Sequence, residues 1–268
     1  MSKSYYAGRA NLACTIFVPY DCSNNCPFCT SKWMYSKLDK NLDSILEHIK
    51  YINNCPVISE FVITGGEPIA NLKILKTIID KCEKKVFINT TLPLQDNILE
   101  VINYINNEPK IKGINISRHM NFKFKDVADK NLISKITKPI RINSVISDKS
   151  KILSFIDEWK DYGMVNLRAD YRKITPTTLK SIDEIDNLLL KNYYYKGNTS
   201  CLVCNSEFFG DSEYTFCYHR GLENSSVVFE TKVYVNDIII NPDGLISLDW
   251  NRKKDLEFEQ AIKTNKIK

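Results

Sequence analysis

The chain has 268 residues, 43% hydrophobic, 26% charged and 11% aromatic. That is the make-up of one large globular domain, or one domain with an appendage, and it excludes disorder, collagen and coiled coil. No run approaches the roughly 18 uncharged apolar residues of a membrane span, and Met1-Ser2-Lys3-Ser4-Tyr5 begins no secretory signal, so a cytoplasmic protein without a membrane partner is expected. The net charge of +5 comes from 37 basic against 32 acidic residues. Most of the basic ones are Lys scattered among Ile and Asn, so nucleic acid is not expected as a partner. Nine cysteines stand out. An odd total in a chain expected to be cytoplasmic points to metal binding rather than a disulfide framework.

Along the chain, apolar runs bounded by turn residues alternate with stretches of helical period. Strands are predicted at 12–18, 60–64, 85–89, 111–117, 140–146 and 164–170. Helices are predicted near 39–54, 69–82, 94–107, 126–137, 149–162 and 177–190. In the first helix Asp39 is placed to cap the N-terminus, and Leu42, Ile45, Leu46, Ile49 and Ile52 recur at spacings of three and four. Six strand-helix repeats make an α/β fold, an open partial (β/α)6 barrel short of the eight repeats that close one. In such folds reactive groups collect at the carboxyl ends of the strands.

The loop after the first strand reads Asp21-Cys22-Ser-Asn-Asn-Cys26-Pro27-Phe28-Cys29, a CxxxCxxC spacing. Three thiolates on a short loop can hold three corners of a cube and leave one metal without a protein ligand. A structural zinc, the alternative, wants four ligands, and no further Cys or His follows at suitable spacing before His48, itself expected at the surface. The second strand ends in Thr64-Gly65-Gly66-Glu67-Pro68, whose glycines let the backbone approach a ligand. Cys14, Cys55 and Cys82, on apolar runs or at helix ends, are expected as buried hydrophobes.

CxxxCxxC with an aromatic before the last Cys, here Phe28, resembles the radical S-adenosylmethionine (SAM) superfamily, and Gly65-Gly66-Glu67-Pro68 resembles its GGEP motif. The superfamily is known for a (β/α)6 partial barrel, matching the count of repeats. The resemblance implies that Cys22, Cys26 and Cys29 hold a 4Fe-4S cluster whose open iron takes SAM, and that Glu67 is a candidate partner for the SAM amino group. It also implies cleavage of SAM to a 5'-deoxyadenosyl radical that abstracts hydrogen from substrate, and a reductant such as flavodoxin or ferredoxin. The turn Asn89-Thr90-Thr91 is similar to the polar turn many members carry after the third strand. Ser117 on the fourth strand and Asn143 on the fifth take, by the same resemblance, contacts to the ribose and carboxylate of SAM.

Other residues are placed by period and position. His119 follows Ser117 and Arg118 at a strand's carboxyl end and is a candidate substrate contact or proton shuttle, a loop His with ordinary hydrogen bonds being the alternative. Arg118 is a candidate substrate contact. On the sixth strand Asn166, Arg168 and Asp170 share one face, so Arg168 and Asp170 are substrate candidates unless this last strand merely wets an edge.

The strand-helix rhythm stops near residue 192, dividing the chain into a barrel at 1–192 and a Cys-rich β extension at 193–268. In the extension Cys201-x-x-Cys204 and Cys217-x-His219 supply four ligands for a second metal site, either zinc or a second iron-sulfur cluster, a redox Cys-x-x-Cys being the less economical alternative because it leaves Cys217 over. Antiparallel strands are predicted at 227–229, 232–235, 237–240 and 245–249, with Asn241-Pro-Asp-Gly244 as a hairpin turn. The compact layout looks most like the queuine-salvage lyases, which release 7-aminomethyl-7-deazaguanine. That implies a small-molecule 7-deazapurine substrate, with a carboxylate such as Asp170, Glu230 or Asp249 at its guanine-like edge. Modification of a molybdopterin-type cofactor or a peptide is the alternative within the superfamily. A non-catalytic metal and nucleic-acid-binding protein is the alternative outside it, opposed by the low Arg content.

Overall fold

The computed structural model describes residues 3–268 apart from residues 10, 25, 28, 30, 31, 121, 170–175, 201–204, 220–225, 249–251 and 253. After a short strand β1 (Ser4–Ala7), six strands lie side by side: β2 (Leu12–Phe17), β3 (Ile58–Thr64), β4 (Lys85–Thr90), β5 (Ile111–Ser117), β6 (Ile140–Ile146) and β7 (Met164–Ala169). All five pairings among these six are parallel. This is the α/β partial-barrel architecture the repeats predicted. The helices are α1 (Lys32–Lys37), α2 (Leu42–Asn53), α3 (Leu72–Lys81), α4 (Ile98–Asn107), α5 (Lys130–Ile133), α6 (Ile152–Trp159) and α7 (Pro176–Asn192).

The apolar stripes of the helices drive their docking. In α3, Leu72, Leu75, Ile78 and Ile79 are buried at spacings of three and four, and in α4 Ile98, Val101, Ile102 and Ile105 repeat the pattern. Each such side chain contributes about 1.5–3 kcal/mol when removed from water. Cys14, Cys55 and Cys82 are fully buried among them, as small hydrophobes are. His48 is not at the surface as expected. It is 8% exposed, its Nδ1 bonds the Ser44 carbonyl at 2.8 Å, and its Nε2 lies 3.8 Å from Glu259.

Two local differences have physical causes. Helix α2 starts at Leu42 because Asn41, not Asp39, accepts the Ser44 amide at 3.0 Å. Only Lys130–Ile133 of the helix expected at 126–137 is helical. The backbone just before it is already committed elsewhere: Leu94 N–H donates to Asp126 O and Ala128 N–H to Leu92 O.

The C-terminal strands are β8 (Tyr194–Ser200), β9 (Asn205–Gly210), β10 (Thr215–His219), β11 (Ser226–Phe229), β12 (Lys232–Val235), β13 (Asp237–Ile240) and β14 (Ile246–Ser247), followed by α8 (Leu256–Lys263). They pair antiparallel among themselves, and Asn241 to Gly244 forms the turn between β13 and β14. However, β10 also docks parallel on β7, β13 parallel on β2 and β12 parallel on β1. The result is an eleven-stranded sheet, β14-β13-β2-β3-β4-β5-β6-β7-β10-β9-β8, beside a three-stranded sheet, β1-β12-β11. The reason for the parallel docking is in the burial. Ile238, Ile239 and Ile240 are all buried, the signature of a strand covered on both faces. The sixth barrel strand is therefore no edge, since β10 pairs along it. Among the described residues no helix is long and apolar enough to cross a membrane.

Candidate active site

At the carboxyl ends of β2 to β5 lies a cavity of about 700 Å³ lined by Cys22, Cys26, Cys29, Gly65, Gly66, Glu67, Asn89, Thr90, Thr91 and Ser117 among others. The cluster loop and the glycine turn, 38 residues apart at Cys29 and Glu67, thus face one space. Cys22 and Cys26 are half-buried and Cys29 is exposed. Burial, with Cys29 and Cys22 beside it, pushes the Cys26 thiol up to about 12, and burial also raises Cys22 against the opposing amide of Asn24. Among the described residues no three His, Cys, Asp or Glu side chains converge on a single metal ion. Three sulfurs on one loop, with no fourth ligand beside them among the described residues, fit a cluster better than a lone ion.

The glycine turn is shaped by contact. Gly65 and Gly66 have φ of +70° and +49°, and a Cβ would strike the Phe17 ring and Tyr35 hydroxyl at the first and the Tyr20 carbonyl at the second. Tyr20 also donates from its hydroxyl to Pro68 O at 2.5 Å, fastening the turn to the exit of β2. The Glu67 carboxylate is turned inward and is 1% exposed. Its Oε2 accepts from Thr91 N–H at 2.8 Å and the Thr91 hydroxyl at 2.6 Å, while Oε1 accepts from the Thr90 hydroxyl and from Ile69 N–H. Burial pushes its pKa up against those four donors. The side chain expected at the SAM amino group thus holds the turn to the end of β4.

A polar row crosses the strands from this cavity. Asn115 Nδ2 donates to Asn89 Oδ1 at 2.6 Å. Ser117, at the cavity, is in register with Asn143, which is in register with Asn166, which is in register with Cys217. Asn166 Nδ2 donates to Asn143 Oδ1 at 2.7 Å. Asn166 is 4% exposed, yet its own Oδ1 has no partner among the described residues.

Arg118 requires correction. Its guanidinium is buried and donates to the carbonyls of Thr91 at 2.8 Å, Ser117 at 2.7 Å and Ala128 at 2.7 Å, so it braces loops rather than meeting substrate. His119, the candidate substrate contact or proton shuttle, is tied to the neighbouring strand. Its Nδ1 accepts from Val145 N–H at 3.1 Å, its ring lies 5.4 Å from that of Phe124, and burial beside Arg118 lowers its pKa to about 4, leaving it neutral at pH 7. Arg168 is exposed and in register with His219. Cys217 Sγ lies 3.6 Å from His219 Nε2, whose Nδ1 is 2.9 Å from Ser206 Oγ. Phe28, Asp170, Cys201, Cys204 and Asp249 lie outside the described residues. Asn24 escaped sequence reading because it is a spacer position in the motif; only the distance to Thr91 gives it a role.

Parallel β/α units carrying a cysteine trio and a glycine turn at their carboxyl ends define an enzyme fold built around a cluster and a bound cofactor. The chain matches the Radical SAM superfamily over residues 16–187, well over half its length, and belongs to it. The superfamily implies a 4Fe-4S cluster and SAM. No curated protein matches the chain. Among solved structures it is similar to Streptococcus suis SuiB bound to precursor peptide SuiA, with TM-score 0.59, 16% identity, 92% of this chain and 64% of that chain covered. It therefore spans less than two thirds of that protein. A native anSMEcpe structure with bound AdoMet and Cp18Cys peptide aligns with TM-score 0.46, 14% identity, over 68% of this chain and 60% of that one.

Proposed function

We propose that this radical SAM enzyme acts on a small polar heterocycle, with queuine as the specific substrate and 7-aminomethyl-7-deazaguanine as product. The supporting observation is Asn166, whose buried Oδ1, without a partner among the described residues, stands two register steps from Ser117 on the polar row. A buried acceptor without a donor costs about 1–3 kcal/mol, and the ring N–H of a deazapurine would satisfy it. A bound cluster and SAM supply reductive cleavage to methionine and a 5'-deoxyadenosyl radical. In that reading Cys22, Cys26 and Cys29 hold the cluster, and Gly65 and Gly66 offer backbone to the SAM amino group. Ser117 and Asn143 take its ribose and carboxylate. The apolar wall behind β2 to β5 limits water near the reacting C–H bond. A low-potential flavodoxin or ferredoxin supplies the electron.

Cys217 and His219 form half of a second metal site, completed by Cys201 and Cys204. Ser206 on Nδ1 of His219 supports this, because it orients the other ring nitrogen toward the sulfur. Peptide modification is the second reading. The outer edge of β8 is unpaired among the described residues and carries exposed Tyr194 and Tyr195, an edge to which an extended peptide can add a strand. SuiB, of similar fold, has a precursor peptide bound.

Anaerobic reconstitution followed by SAM and dithionite tests both layers. 5'-Deoxyadenosine is expected from the wild type and none from a Cys22/Cys26/Cys29 triple Ala variant. Added queuine is expected to stimulate turnover and yield 7-aminomethyl-7-deazaguanine by mass spectrometry. Asn166→Ala keeps basal SAM cleavage and loses about tenfold in that stimulation. SAM cleavage without any response to queuine removes the queuine reading and leaves the cluster assignment standing.

A further inference from the structure

The geometry points to Thr91 as the positioning residue that couples the cluster loop to the SAM-binding turn, with Asn24 as its link to a cluster ligand. Only the cluster and SAM of the superfamily are needed for this, whatever the substrate. Thr91 stands just past the end of β4, 8% exposed, and each of its polar groups reaches a different loop or the same loop twice. Its N–H and its hydroxyl both donate to Glu67 Oε2, at 2.8 and 2.6 Å, inside the GGEP turn. The same hydroxyl oxygen accepts from Asn24 Nδ2 at 3.0 Å, in the cluster loop. Its carbonyl accepts from Arg118 at 2.8 Å, from the end of β5. Asn24 closes the chain, since its backbone N–H points to Cys22 Sγ at 3.4 Å.

One hydroxyl therefore joins a cysteine ligand's neighbour to the carboxylate that shapes the SAM turn. A hydroxyl that donates and accepts at once is more strongly polarised in both bonds, so loosening either end weakens the other. The next residue supports the reading. Leu92 is a buried leucine at φ +52°, a left-handed conformation unfavourable for a side chain, and it is held there by its N–H on Thr90 Oγ1 at 2.8 Å and by Ala128 N–H on its carbonyl. Such strain persists only where surroundings fix the backbone, and here it fixes the orientation of Thr90 and Thr91 toward Glu67. Amide bonds to cysteine sulfur tune cluster potentials, so a displaced Asn24 changes the potential as well as the SAM site.

The experiment compares reconstituted wild type, Asn24→Ala, Thr91→Val, Thr91→Ser and the Asn24→Ala/Thr91→Val double variant. It reads iron per chain, SAM affinity, the reduced-cluster EPR spectrum with and without SAM, and the midpoint potential. Iron is expected to be unchanged. Asn24→Ala and Thr91→Val each weaken SAM binding by about 3- to 10-fold and move the potential in the same direction. The double variant is no worse than Thr91→Val, and Thr91→Ser restores wild-type values. Wild-type affinity, spectrum and potential in Asn24→Ala would overturn the coupling, as would losses that multiply in the double variant. If Thr91→Val does not fold, Asn24→Ala, altering one half-buried loop side chain, still decides it.

Discussion

His119 and Arg118 show what position in a motif-rich segment conceals. Both follow Ser117 at the mouth of a barrel strand, where polarity reads as reactivity, and both are tied to backbone instead. The consequence for His119 is measurable. Its folded pKa of about 4 lies below the ordinary 6.5, so the native state binds fewer protons than the unfolded chain between those values. The associated stability is complete above pH 6.5 and falls as pH drops toward 4. Between pH 6.5 and 5 the loss is about 2 kcal/mol. Urea unfolding of wild type and His119→Gln at pH 7 and pH 5 checks it; equal acid sensitivity in the two proteins would show that the imidazole carries none of the effect. The cysteine trio was legible at this scale because spacing alone carries its chemistry. The inward commitment of Glu67 was not, because it depends on Thr90 and Thr91, which come from the next strand.

At the scale of elements, the six parallel strands were readable because each is a short apolar run of period two or full burial, followed by a helix of period 3.6. Where the reading failed, a non-local pairing had claimed the backbone, as at 126–129, or a strand expected in an antiparallel cap lay buried on both faces beside β2. The glycine turn is the element on which SAM binding should hinge. At Gly66 any side chain meets both an unfavourable φ and the Tyr20 carbonyl, so the turn must move. Gly66→Ala is expected to keep its iron, since the cysteines lie on another loop, and to lose more than about tenfold in SAM affinity, because the left-handed backbone alone costs about 1–2 kcal/mol. Equilibrium dialysis with labelled SAM measures this. Unchanged affinity would mean that the backbone of the turn does not touch the cofactor.

For the whole molecule, the decisive fact is that the chain's last third supplies neighbours to both margins of the six-strand set. β13 covers β2 on one side and β10 covers β7 on the other. Without them β2 and β7 would present unpaired edges, and Phe17 would lose Ile239, against which it packs. Tyr5 would lose Phe258, whose ring is 5.2 Å away. A fragment of residues 1–192 is therefore expected to aggregate or to lack a cooperative thermal transition, although it contains the cysteine trio, the glycine turn and the whole superfamily match. Circular dichroism melting and size-exclusion chromatography of that fragment measure it. The opposite result, a monomer that melts cooperatively, takes up iron and cleaves SAM, would mean that the parallel docking of β13 and β10 contributes little, and that the extension serves substrate or metal binding alone. In the full chain five fully or nearly fully buried side chains on the docking strands, Phe216, Tyr218, Ile238, Ile239 and Ile240, each contribute about 1.5–3 kcal/mol, a sum that the fragment lacks and that is comparable with the whole stability of an ordinary domain.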